Sequence, residues 1–176
     1  MNTTVVGYRF WAADTKKEKL YSFTYDLEWG IEAQKARCRM VAHHFPDPIL
    51  IPAPSCSCGL HAFSTLENAQ KNKAEFGMEM ELFPNWKRIY PKWEDSKRFG
   101  SSIVVCGVVL AWGRSILQEI GFRTEFQKIL ALGYSPENES SVKRIARKLN
   151  CESVSENSLG TYAREFGVEI SEWTDK

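Results

Sequence analysis

The sequence has no long hydrophobic run and no excess of charge of one sign. Its longest apolar stretch, residues 103–112, is interrupted by Gly107 and falls far short of the roughly 20 residues that a membrane-spanning helix needs. Lysine and arginine together number 23 and aspartate and glutamate 22, so the formal net charge is only +1. These absences predict a soluble protein without a membrane partner, and they remove the global electrostatic argument for binding nucleic acid.

The pattern of a secretory signal peptide is also missing, because no basic segment followed by an apolar one opens the sequence. We therefore expect a cytoplasmic protein, in a compartment where structural disulfide bonds are rare. The five cysteines agree with this expectation, since an odd number does not suit a framework of disulfides.

Familiar catalytic motifs are absent as well. The chain has no P-loop, no dinucleotide-binding glycine motif after a strand, no nucleophile elbow and no paired-histidine metalloprotease motif. The sequence therefore indicates no particular reaction, and whether the protein is an enzyme stays open.

Enough hydrophobic residues are present for a folded core. With 176 residues and 43% hydrophobic composition, the chain suits one domain of ordinary size with a small appendage. Residues 5–13 and 20–29 are rich in aromatic and β-branched side chains and flank a polar turn, which predicts a β-hairpin. Residues 103–112 form the clearest single strand, and their apolar character predicts a central position.

Helical segments are predicted at the edges of this core. Residues 66–76 have helical composition, with Ser64 and Thr65 as candidate N-caps and Gly77 as a stop signal. The composition of residues 31–40 favours a short helix or a turn.

The second half of the chain gives two further expectations. Residues 113–114 are typical of a turn, which would separate the central strand from another strand over residues 115–120. Thr124 is a candidate cap for a helix over residues 125–132.

A weak internal repeat relates residues 145–152 to residues 162–169, and each copy predicts a short helix. The sequence as a whole predicts an α+β fold with an antiparallel β-rich core, peripheral short helices and a small helical C-terminal appendage. We divide it into a β-rich domain with a Cys/His loop, residues 1–134, and the helical appendage, residues 135–176.

A nucleic-acid module is a weaker alternative that rests on two features. The aromatic residues of the predicted hairpin could offer a base-stacking platform, although packing in the core is the simpler interpretation. The C-terminal helices carry local positive charge, which neighbouring acidic residues balance, so packing of this segment is again favoured. The basic residues concerned are Lys143, Arg144, Arg147 and Lys148.

The most informative feature is a cluster of cysteines and histidines between residues 38 and 61. A structural zinc site needs four thiolate or imidazole ligands, usually offered as short-spaced pairs on loops. In Cys56-Ser57-Cys58-Gly59, the small residues allow backbone amides to turn towards the sulfurs and stabilise their charge. The predicted ligands are Cys38, His44, Cys56 and Cys58, with His43 and His61 as substitutes.

Other interpretations of the same residues stay open. The cysteines could be inert buried hydrophobic residues, or Cys56 or Cys58 could be a catalytic thiolate with a histidine base. A reversible disulfide within the cluster is the fourth alternative. Elsewhere, Arg123 and Glu125 are candidates for a binding pair, although a structural ion pair is the more common role for this spacing.

Several segments between Gly7 and Leu132 carry a family resemblance. The most specific is residues 53–62, which contain C-x-C-G-[I/L]-x-A, and the weaker ones are residues 8–11, 20–22, 28–29, 36–38, 107–109, 112–113 and 121–125. Together they resemble an uncharacterised family of small bacterial and phage-borne proteins. The resemblance implies an architecture and a cysteine site, and it implies no reaction.

We therefore expect a non-enzymatic binding or adaptor module whose Cys/His loop is held by a structural zinc ion, with a protein or a small ligand as its partner. The alternatives are a thiol-dependent enzyme that uses Cys56 or Cys58 and a nucleic-acid-binding module. The sequence decides neither the partner nor the oligomeric state.

Overall fold

The computed structural model describes residues 4–22, 27–38, 51–54, 56–82 and 102–167. Within these ranges the chain forms eight β-strands, three α-helices and one 3₁₀ turn. In chain order they are β1 (Val5–Asp14), β2 (Lys19–Tyr21), β3 (Glu28–Trp29), β4 (Gln34–Lys35), β5 (Leu60–Phe63), α1 (Leu66–Leu82), β6 (Ser102–Gln118), β7 (Gly121–Tyr134), α2 (Glu139–Lys148), β8 (Glu152–Ser155), the 3₁₀ turn (Glu156–Ser158) and α3 (Leu159–Phe166).

The eight strands belong to one sheet that curls back on itself. β1 pairs with β6 along its whole length, β6 pairs with β7, and β7 pairs with β5. β5 returns to β1 through the bridge between Tyr8 and Phe63, which closes a ring of four antiparallel strands. The predicted α+β fold with an antiparallel β-rich core is confirmed, with one parallel pair, β7 and β8.

The predicted N-terminal hairpin forms around a turn organised by Asp14. The Asp14 carboxylate accepts hydrogen bonds from the backbone N–H groups of Lys16 and Lys17, each at 3.0 Å. The second predicted strand is divided in two, since β2 turns back and pairs with β3 through Leu20 and Trp29. Local aromatic composition favours an extended chain but does not show where that chain reverses.

The central strand is longer than predicted. Residues 113–114 form no turn, because β6 continues through them to Gln118 and the chain reverses only at residues 119–120. Gly113 has φ +82° and lies at a register shift between Trp112 and Ser115, which is the position of a β-bulge. A glycine inside a strand therefore bends the strand here and does not end it.

One predicted helix is wrong. Residues 125–132 belong to β7, which pairs with β6 on one side and with β5, β4 and β8 along the other. Hydrogen bonds on both sides of the strand outweigh its moderate helical propensity. For residues 31–40 the sequence predicts a short helix or a turn; the described part, residues 31–38, has a bend at residues 31–32 followed by β4, and contains no helix. The helix α1 is confirmed, with the N–H of Asn68 bonded to Thr65 Oγ1 at 3.2 Å, but it continues past Gly77.

Both faces of the sheet are covered, so β1 is buried on both sides. One core joins Trp11 and the inner face of the ring to α2, and the other joins Tyr8 and the outer face to α1 and α3. α2 contributes Val142, Ile145 and Ala146 to the first core, and Leu149 follows directly behind it. α3 contributes Leu159 and Ala163 to the second.

Polar contacts also attach the C-terminal segment to the sheet and to α1. Arg144 of α2 forms an ion pair with Glu18 at 3.1 Å, and Lys148 donates to the Lys17 carbonyl at 3.0 Å. Lys73 of α1 forms an ion pair with Glu156. The two predicted C-terminal helices are thus present, while the division at residue 134 stays a prediction. None of the helices in the described ranges is long and apolar enough to cross a membrane.

Candidate metal centre

The strand β7 brings distant cysteines together by pairing with two short strands laid end to end. β4 pairs with Phe126 and Gln127, and β5 pairs with Gly121 through Thr124. Because both are antiparallel to β7, they run in the same direction, and β4 ends where β5 begins. Cys38 lies three residues after β4, and Cys58 lies two residues before β5. The segment that connects Cys38 with Cys58 therefore starts and ends close to the same position along β7.

Three thiols converge at this point. The sulfur atoms of Cys38, Cys56 and Cys58 all lie within 4.8 Å of one another. Cys38 Sγ and Cys56 Sγ are 3.7 Å apart, and the backbone N–H of Cys58 points at Cys56 Sγ with an N···S distance of 3.4 Å. Cys58 is buried, whereas Cys38 and Cys56 are partly accessible. The predicted association of these three cysteines is what a metal ion would require, and the cluster could hold one.

Arg123 lies beneath the cysteine loop, which we define as residues 51–59. Its side chain is only 5% exposed. The guanidinium Nη1 donates to the carbonyl oxygen of Cys56, to that of Cys58 at 2.8 Å and, more weakly, to that of Ala53 at 3.5 Å. In the part of the chain that the structure describes, no carboxylate lies within ion-pair distance of Arg123. The buried cation thus has carbonyl partners from the loop in place of an acidic side chain.

Gly59 allows the loop to join β5. Its φ is +124°, a conformation that residues with a side chain rarely adopt. A Cβ atom placed there would lie 3.0 Å from Arg123 Cβ and 3.0 Å from Pro52 Cβ. The glycine of the C-x-C-G segment therefore has both a conformational and a packing requirement.

The histidines are less closely connected with the cluster. His43 and the predicted ligand His44 lie outside the described residues. His61 occupies β5 opposite Arg123, and its Nε2 atom is 3.1 Å from the Ser57 carbonyl oxygen. Burial lowers the pKa of His61, and the nearby Arg9 and Arg123 cations lower it further, so the neutral imidazole predominates at pH 7. Among the described residues, the metal-competent group contains the three cysteines without His61.

The predicted pair of Arg123 and Glu125 has separate partners. Arg123 contacts the cysteine loop, whereas Glu125 lies 3.7 Å from the ammonium group of Lys35 in β4. The backbone carbonyl of Glu125 also accepts a hydrogen bond from Ala36 N–H at 2.7 Å, just past the end of β4. Both residues therefore help to place the two segments that carry the cysteines.

Burial raises the pKa of three thiols, one inside the cluster and two outside it. Burial raises the pKa of Cys58, and the adjacent Cys56 and Cys38 raise it further, so the metal-free thiol keeps its proton at pH 7. Burial also raises the pKa values of Cys106 and Cys151 to about 12. These two residues pack against the second and the first core, respectively.

One supporting residue was not identified from the sequence. Gln127 is fully buried, and its Nε2 donates to the Leu60 carbonyl at 2.8 Å and contacts Thr124 Oγ1 at 3.2 Å. It anchors the first residue of β5, directly behind the cysteine loop. A glutamine within a strand of apolar and β-branched residues indicates a buried polar contact. Because the sequence predicted a helix over this segment, Gln127 was not recognised as such a residue.

Some of the residues that suggested a nucleic-acid module contribute to the fold instead. Tyr8, Trp11 and Trp29 are at most 1% exposed, so they offer no stacking surface. Phe23 and Tyr25 of the predicted hairpin lie outside the described residues. On α2, Lys143 forms an ion pair with Glu139 at 2.6 Å, and Arg144 pairs with Glu18. These ion pairs offset the charge of two of the four basic residues that the prediction named.

Comparison with known proteins adds no family to this picture. No protein-family model, no curated protein and no solved structure matches the chain. The function must therefore be argued from the cysteine centre itself.

Proposed function

We propose that this protein is a non-enzymatic binding or adaptor module whose Cys/His loop is held by a structural zinc ion. The observation that carries the proposal is the convergence of three sulfur atoms from two separate segments within 4.8 Å. A metal ion bound there would fix residues 36–38 to the cysteine loop. The partner of the module would be a protein or a small ligand.

The sulfur geometry supports zinc. A tetrahedral ion with Zn–S distances of about 2.3 Å places any two of its sulfur ligands about 3.8 Å apart. The distance between Cys38 Sγ and Cys56 Sγ is 3.7 Å, and Cys58 Sγ needs only a small movement to complete such a face. The N–H of Cys58 directed at Cys56 Sγ is the kind of contact that stabilises a metal-bound thiolate.

The fourth ligand that we propose is His44. The sequence places it six residues after Cys38 and twelve before Cys56, so a return of the chain towards the three sulfurs is short enough. A neutral imidazole with three thiolates gives a common structural zinc site. His61 is the weaker candidate, because its Nε2 contacts Ser57.

A thiolate enzyme is less well supported than a metal site. A catalytic cysteine needs a lowered pKa, usually from an adjacent imidazolium or a helix N-terminus. The pKa of Cys58 is raised, and that of the nearest described histidine, His61, is lowered, so neither group is in the required state at pH 7. Zinc would replace the thiol protons and remove this difficulty.

Metal analysis of protein purified without a histidine tag tests the proposal. We expect about one zinc per chain, bound tightly enough to survive gel filtration, and its removal by a strong chelator should lower the melting temperature. Replacing Cys58 with serine should abolish stoichiometric zinc. The matched control, Cys151→Ser, removes a thiol outside the cluster and should retain it.

Histidine variants identify the fourth ligand. The substitution His44→Ala should weaken zinc binding, while His61→Ala and His43→Ala should leave it close to that of the unmodified chain. A protein that is folded and free of zinc when purified from zinc-containing medium, and that takes up no zinc on titration, would contradict the whole proposal.

A further inference from the structure

We infer that Arg123 is the positioning residue of the cysteine centre: its buried guanidinium holds the loop carbonyls in place and balances the negative charge that the thiolates acquire with a metal ion. This inference rests on the proposed zinc site. The inference goes beyond that site because it attributes part of the metal affinity to a residue that is not itself a ligand.

The first step of the argument is the direction of the loop backbone. The guanidinium accepts no hydrogen bond and can only donate, so the carbonyls of Cys56 and Cys58 must face it. The N–H of Cys58, which belongs to the peptide unit between these two carbonyl groups, points at Cys56 Sγ. By holding the peptide units on both sides, Arg123 restricts the orientation of this amide, whose own carbonyl partner, that of Ser57, is contacted by His61 Nε2.

The second step concerns charge. A guanidinium that is 5% exposed carries a full positive charge away from water, and an unpaired buried charge is costly. Within the described ranges no carboxylate pairs with it. Three thiolates with one divalent cation have a net charge of −1, which is equal and opposite to the charge of Arg123. In the metal-free form, the three neutral thiols supply no negative charge to offset that of the guanidinium.

The third step is the energetic coupling between Arg123 and metal binding. Because the balancing charge exists only in the metal-loaded form, Arg123 should favour that form over the metal-free one. By thermodynamic linkage, its removal then lowers metal affinity. A residue that only supported the fold would destabilise the two forms equally and would leave the affinity unchanged.

Cobalt(II) titration of the metal-free full-length chain tests the inference, because cobalt takes the place of zinc and absorbs visible light. Arg123→Met removes the charge and the donors, and Arg123→Lys keeps the charge but has no planar group to hold several carbonyls. We expect Arg123→Met to bind cobalt at least tenfold more weakly, within the 10- to 100-fold range that is roughly typical of outer-sphere partners, and Arg123→Lys, which keeps the charge, to lose affinity by a smaller factor. Their cobalt spectra at saturation should also differ from that of the unmodified chain.

The matched control is Arg114→Met, which changes an exposed arginine of β6 and should keep the original affinity and spectrum. A folded Arg123 variant that binds cobalt with unchanged affinity would overturn the inference. Failure of the unmodified chain to bind cobalt or zinc would instead remove the proposed function, so the two failures are distinguishable.

A measurement on the unmodified chain covers the case in which both variants fail to fold. The side-chain N–H resonances of Arg123 in an NMR spectrum should shift when zinc is added, since the metal changes the charge that the guanidinium faces. Unshifted Arg123 resonances at full zinc occupancy would contradict the coupling.

Discussion

Single residues around the cysteine centre are constrained by backbone conformation and by buried polar groups. Gly59 adopts a positive φ between the last cysteine and β5. Ser22 Oγ accepts hydrogen bonds from Arg9, whose guanidinium also donates to the His61 carbonyl, at 3.0 Å and from the indole of Trp29 at 2.8 Å. In both places a small residue lies where a larger or apolar one would collide or leave a buried donor without a partner.

The residue-scale prediction concerns Gly59. In Gly59→Ala the new Cβ would be forced against Arg123 and Pro52 in a strained conformation, so we expect a loss of about 1–3 kcal/mol in the free energy of unfolding. Zinc affinity should fall as well, because the carbonyls of the loop would shift. Urea denaturation and zinc competition would measure these effects.

Gly30→Ala is the control, since nothing lies within 4 Å of a Cβ at that position. It should change stability by less than about 0.5 kcal/mol. Equal stability of the two variants would show that the conformation of Gly59 is not needed.

At the scale of elements, the short strands are positioned by long ones. β4 and β5 have two and four residues, too few to form independently, and both depend on β7 for their hydrogen bonds. The helix α2 is likewise positioned by its apolar side, while Arg144 and Lys148 attach its outer side to the β1–β2 turn.

The element-scale prediction compares two positions of α2. Ile145 is fully buried, and Ile145→Ala should cost about 2–5 kcal/mol because it leaves a cavity in the first core. Arg147→Ala changes an exposed residue of the same helix and should cost less than about 0.5 kcal/mol. Denaturant unfolding followed by tryptophan fluorescence would report both. Similar losses for the two variants would contradict this packing.

At the scale of the molecule, the C-terminal segment completes both cores. α2 packs with Trp11 on one face of the sheet, and α3 packs with Tyr8 on the other. β8 adds a parallel strand to β7 at residues 131–134. The β-rich part therefore depends on residues beyond 134 for its buried surface.

Truncation tests this dependence and the predicted division at residue 134. A chain that ends at Tyr134 would expose the apolar residues that α2 and α3 cover, so we expect it to lose cooperative thermal unfolding and to aggregate. Adding a peptide of residues 135–176 should restore a folded signal in the near-ultraviolet circular dichroism. A truncated chain that unfolds cooperatively at the original temperature would show that residues 1–134 fold alone.

The accuracy of the sequence-based predictions varied with the range of the interactions involved. The hairpin, the central strand and α1 were predicted because aromatic and β-branched composition around a polar turn, a continuous apolar run and an N-cap act over a few positions. Residues 125–132 of β7 have the local composition of a helix, and the strands that pair with them lie far away in the chain. For the site, the three cysteines were predicted together, but the contact of Arg123 with their carbonyls was not.

The sequence by itself determined which side chains could bind a metal ion, where local turns and caps form, and that the chain has enough apolar residues for a core. Only the tertiary structure decided that Cys38 meets Cys56 and Cys58 and that a buried arginine lies beneath them. The reason is that this convergence depends on β4 and β5 meeting end to end along β7. Such an arrangement is set by hydrogen bonds between strands some 60 to 90 residues apart, and no local pattern encodes it.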